Sequence, residues 1–135
     1  LLIRATRDAD GANLDRVQVI KGWLDADGVT HEKIYNAAVS NGRIVDEKGV
    51  VDPVGNTVDG PSYTNTIGGP ELSAMWIDPD FDPDEAAFYY VRVLEIPTPR
   101  WTAYDTAYYD LRDLPREIQM VTRERAYSSP IWYTP

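Results

Sequence analysis

Apolar and polar residues alternate along several stretches of the chain, and these stretches are rich in β-branched and aromatic side chains, the pattern of strands. LLIRAT opens the chain and ends at Asp10-Gly11. LDRVQVIKGWL, Leu14 to Leu24, closes at Asp27-Gly28, and VTHEKIYNAAV follows at the distance of a tight connection before Asn41-Gly42. Asp-Gly and Asn-Gly supply the positive φ angles of short hairpin turns, so these segments predict an antiparallel meander, with both DADG stretches (Asp8 to Gly11, Asp25 to Gly28) as hairpin turns.

From Asp46 to Pro70 the chain is dense in Gly, Pro, Asn and Asp and predicts mostly loop, with a faint echo between VGNTVDG and YTNTIGG. LSAMWI is a short strand, and AAFYYVRVLEI is the strongest strand of the sequence. Ala87, Tyr89, Val91 and Val93 share one of its faces and Phe88, Tyr90, Leu94 and Ile96 the other, with Arg92 among them. Two apolar faces predict a central strand covered on both sides. Beyond Pro97 and Pro99, Trp101, Tyr104, Tyr108 and Leu111 recur at helical spacing, which predicts either a short helix before Pro115 or an aromatic-lined loop. The last segment, REIQMVTRERAYSSPIWYTP, is strand-like, with Pro130 placed at a sheet edge or bulge. The expected fold is all-β: an antiparallel β-sandwich of short strands with at most one short helix near residues 101–111, forming a single domain over 1–135.

Composition narrows the function. With 22 acidic against 13 basic residues the formal net charge is -9, which disfavours nucleic acid and an anionic membrane surface as partners. At 43% hydrophobic residues the chain can still build a core. Without cysteine there is no disulfide, zinc thiolate or thiol nucleophile, and compartment is not legible. No apolar run approaches the roughly 18 residues of a membrane span. The opening LLIRATRD, apolar from the first residue, reads as a strand cut from a longer protein.

The acidic run DPDFDPDE, Asp78 to Glu85, raises the question of a cation. Asp78, Asp80 and Asp82 match the first, third and fifth positions of an EF-hand loop, but Pro83 stands where Gly is needed and Tyr89 where the bidentate Glu belongs. A looser calcium site would draw on Asp78, Asp80, Asp82 and Asp84. The favoured alternative is a capped helical turn or tight turn between two strands, with Asp82 as cap, Pro83 at the first position and Glu85 three residues on. No metal ligand is therefore assigned.

His31 is the only histidine, and no G-x-S-x-G elbow surrounds Ser40, Ser62, Ser73, Ser128 or Ser129, so a solvated strand histidine is favoured over a general base. Neither a P-loop nor a G-x-G-x-x-G fingerprint is present, and no cofactor is expected. Arg100, Trp101, Tyr104, Asp105 and Tyr108 are candidates for a sugar-stacking or partner-binding surface, weighed against the favoured reading of their rings as core.

The runs LDRVQVIKGW, THEKIY, VGNTVD, YTNTIG, ELSAMWIDPDFDP, AFYYVRVLEIPTPRW and RAYSSPIWYTP, in that order, resemble the C-terminal part of DUF3604, a mostly bacterial family of uncharacterised proteins. The resemblance implies a longer parent whose N-terminal part is similar to polymerase-and-histidinol-phosphatase metal-dependent hydrolases. None of their His-rich metal motifs is present, so no catalytic residue carries over. The stretches around Asp46 to Val51 and Thr106 to Arg123 lie outside the likeness. What it implies is a non-catalytic accessory C-terminal domain whose partner is the catalytic-like domain of the same polypeptide; a calcium- or carbohydrate-binding module is the alternative.

Overall fold

Strand β2 (Leu14–Leu24) is the longest strand of the domain and pairs along both of its edges. It pairs antiparallel with β3 (Thr30–Val39) through the expected hairpin, where Gly28 takes a φ of +78° and Asp25 accepts the Val29 and Asp27 N–H groups. Its other edge pairs antiparallel with β7 (Ala87–Glu95), more than sixty residues on in sequence. The chain's last strands, β10 (Arg125–Tyr127) and β11 (Ile131–Tyr133), lie end to end along the far edge of β7. Between them, at Ser128–Pro130, the Ser128 hydroxyl accepts the Val91 N–H in place of a backbone carbonyl, and Pro130 falls outside both paired segments, where a missing N–H breaks no ladder bond. The computed structural model describes all residues, 1–135.

The second layer is small. Strand β1 (Leu2–Thr6) pairs antiparallel with β6 (Glu71–Met75), and this ribbon lies over one face of the five-stranded sheet. Ile3 and Trp76 pack there on Val19, Ala87 and Tyr89, with Trp23, Ala37 and Tyr133 around them. The result is an antiparallel sandwich of unequal layers, as the alternation predicts. Two minor ribbons complete it: β4 (Val58–Asp59) with β5 (Ser62–Tyr63), and β8 (Thr98–Pro99) with β9 (Val121–Thr122). Helix α1 (Trp101–Tyr108) forms within the expected stretch.

Three expectations are corrected. The Asp8–Gly11 turn is not a hairpin: β1 pairs with β6 instead of β2, so this turn carries the chain from one layer to the other. The simple meander thus holds only for β2 and β3. Strand β7 is central within its sheet, but no further strand packs over the face of Phe88, Tyr90, Arg92 and Leu94, where these half-buried side chains themselves cover Gln18, Ile20 and Gly22 of β2. The aromatic stripe of α1 is not core either. Ala103 is the helix's one buried residue, while Trp101 is 63% and Tyr108 83% exposed.

A second apolar cluster closes one end of the sandwich, where Ala12, Val54 and Ile96 pack with Tyr63 and Ile67. Gly68 is required there: its φ is +80°, and a Cβ would come within 2.7 Å of Ile96 and 2.9 Å of the Leu14 carbonyl.

Candidate functional site

The acidic loop after β6 is held by the sheet beneath it. Lys21, on the covered face of β2, is almost fully buried, and its ammonium lies 2.7 Å from the Asp78 carboxylate and donates to the Asp80 carbonyl at 2.6 Å. The Tyr89 hydroxyl donates to the same Asp78 oxygen at 2.7 Å. Register explains the convergence, because Lys21 is paired with Tyr89 on one side and with Lys33 on the other. Lys33 and the Tyr35 hydroxyl, next on β3, both donate to Asp80 Oδ2, at 2.5 and 2.7 Å. Trp76 stacks obliquely between Tyr35 and Tyr89 and shields the buried pair.

This wiring sets the titration of the site. Burial pushes the Asp78 carboxyl up, but Lys21, Tyr89 and the Asp80 N–H outweigh it and hold the group below the ordinary carboxylate value. Hydrogen bonds from Lys33, then Tyr35, lower Asp80. Burial, then the facing aspartate, raises the phenols of Tyr35 and Tyr89 well above their usual range.

The loop itself is two successive Asp-Pro turns. Asp78 Oδ1 accepts the Asp80 N–H and Asp82 Oδ1 accepts the Asp84 N–H, both at 2.9 Å, and no helical turn forms. Asp82 is therefore the predicted cap residue, in a tight turn. As calcium candidates, Asp78 and Asp80 are already engaged with the protein's own cations, and Asp82 and Asp84 do not join them. No three acidic or histidine side chains come together in a group that could hold a metal ion.

His31 lies exposed on β3, stacked on Trp23 with ring centroids 5.1 Å apart, and its Nε2 meets Asp25 Oδ2 at 2.6 Å. No serine hydroxyl bonds to it: Ser40 accepts from Arg43, Ser62 donates to the Asp59 carbonyl and Ser128 to the Ser129 carbonyl. A Ser-His nucleophile is not assembled.

Among the predicted interface residues, Arg100 precedes α1 and its guanidinium lies over the Trp101 ring at 5.9 Å. Tyr104, Asp105 and Tyr108 stand exposed along the helix. A larger aromatic group was not singled out in the sequence. Phe88 and Tyr90 from β7, Tyr127 from β10 and Trp132 from β11 form a row across the uncovered face of the sheet, with successive ring centroids 5.3 to 6.4 Å apart. Phe88 lies against Gly22, where a Cβ would come within 2.4 Å of the ring. Beside the row, Arg92 donates twice to Gln18 Oε1, and Gln18 donates to Asn36. The signal was present in the alternation of FYYVRV and IWY, but pairing of the three strands was needed to see it.

A family model described as a protein of unknown function, DUF3604, matches residues 1–135. The chain belongs to the DUF3604 family. No curated protein and no solved structure matches it. Membership in DUF3604 thus agrees with the likeness carried by the motifs, and it brings no assigned activity to the aromatic row or to the acidic loop.

Proposed function

We propose that this DUF3604 domain is a non-catalytic accessory β-sandwich that packs against another part of its own polypeptide through the uncovered face of the five-stranded sheet. The observation that carries the reading is the aromatic row on that face. Trp132 is 71% and Tyr127 56% exposed, in a chain where only 18 of 135 residues are buried. Exposed aromatic patches of this kind concentrate interface energy, and a partner would supply the missing third layer. On the strength of the motif likeness, we infer that the partner region is a metal-dependent hydrolase-like domain. Hydrogen–deuterium exchange on the full-length protein and on the 135-residue chain tests the docking. Protection of residues 86–94 and 125–133 that rises in the longer protein supports it, and equal exchange in the two refutes it. The same comparison reports on Arg100, Trp101 and Tyr104.

A second reading rests on the polar edge of the row. Asn36 and Arg92, held by the buried Gln18, flank stacked rings, the combination that binds a sugar by its apolar face and its hydroxyls. Titration with soluble oligosaccharides, followed by tryptophan fluorescence, separates it from docking within the polypeptide.

A further inference from the structure

The largest groove of the molecule, about 970 Å³, is polar and lined by arginine in a chain of strong negative charge. It runs between the loop at Pro53–Asn56, the residue before α1, and the segment from Gln119 to Arg125. Arg100, Arg123 and Arg125 line it, against the single carboxylate of Glu124. The guanidiniums of Arg100 and Arg125 make no ion pair or hydrogen bond within the chain, although 22 acidic residues are available. Arg123 reaches Asp15 at 3.1 Å, but that one buried carboxylate also serves Arg16 and Arg43. Three guanidiniums thus share the one negative charge of Asp15, of which only that of Arg123 lines the groove, and those of Arg100 and Arg125 are unpaired within it.

Helix α1 opens directly after Arg100 with no side-chain cap and no acid in its first turn, so no carboxylate of that turn offsets the arginine. Thr122, Gln119 and Asn56 supply neutral hydrogen-bonding groups in the lining. The planar fork of arginine matches oxyanions with paired oxygens, and a groove of this volume suits a small molecule.

We infer that this groove is a binding site for a small phosphate- or sulfate-ester ligand, whose oxyanion is held by Arg100 and Arg125 with Arg123 beside it. The test is titration of the protein with inorganic phosphate, inorganic sulfate and citrate, followed through the arginine Nε–H resonances by NMR. Saturable binding of phosphate or sulfate that moves the Arg100 and Arg125 signals, and that weakens about tenfold or more in Arg100→Ala and in Arg125→Ala, is the expected result. Arg100→Lys, which keeps the charge and loses the fork, weakens it as well, and Lys48→Ala, outside the groove, leaves it unchanged. No saturation by phosphate or sulfate up to about 20 mM overturns the proposal, as does binding by citrate alone. Undiminished affinity in the folded Arg100→Ala/Arg125→Ala variant overturns it too.

Discussion

Lys21 and Asp78 form an ion pair of 2.7 Å in which both side chains are more than nine-tenths buried, and it fastens the acidic loop to the centre of the sheet. The loop's negative charge is thereby part of the fold. Removing the ammonium leaves a buried carboxylate facing only Tyr89 and a backbone N–H. Lys21→Met is expected to destabilise the domain by about 3–5 kcal/mol in urea unfolding, whereas Lys21→Met with Asp78→Leu recovers much of the loss, since no charge is then stranded.

The same pair sets an acid limb. A carboxyl depressed in the folded state contributes stability that is complete above the unfolded value of about 3.9 and disappears as pH falls through the lower folded value. Asp78 and Asp80 are both depressed, so thermal stability falls as pH drops below about 4, and Asp78→Asn makes that fall shallower. The phenols run the other way. Tyr35 and Tyr89 are raised, so their contribution is complete below about pH 10 and is lost as pH climbs through their folded values. An acid limb of equal steepness in Asp78→Asn contradicts the assignment.

Asp15 is a second latch. Fully buried at the β2 bulge, it accepts from Arg43 at 2.5 Å and from Arg16 and Arg123 at 3.1 Å, tying together segments 108 residues apart. Asp15→Ala strands three guanidiniums and is expected to cost about 3–5 kcal/mol, measured by chemical denaturation.

Gly68→Ala tests the end of the sandwich. Its positive φ and the 2.7 Å approach to Ile96 predict a loss of about 1–3 kcal/mol, with the melting temperature as readout. The far more conspicuous Trp132→Ala is expected to change stability of the isolated chain by less than about 1 kcal/mol, because most of that ring is in water.

Much of the fold was legible in the sequence. The period-two runs at Leu14–Leu24 and Ala87–Glu95 stand where the pattern put them, and the stretch after Pro99, where the spacing allowed a helix or a loop, is a short helix. The Asp-Pro turns of DPDFDPDE were legible as turns because Asp caps the N–H two residues on. Three things were not: the pairing of β1 with β6, the bare second face of β7, and the solvent exposure of the α1 rings. Alternation says which residues share a face, but it does not say whether anything lies on that face.

The sequence by itself determined the strands, their faces, the turns and the acidic balance, because these follow from side-chain period, backbone preference and charge within a few residues. Only the tertiary structure decided that Lys21 and Lys33 pair with Asp78 and Asp80 of the acidic loop, that four aromatic residues from three strands make one row, and that arginines border one groove in an acidic chain. Each of those depends on residues dozens of positions apart being brought together by strand register, and register is settled by how all the faces pack at once.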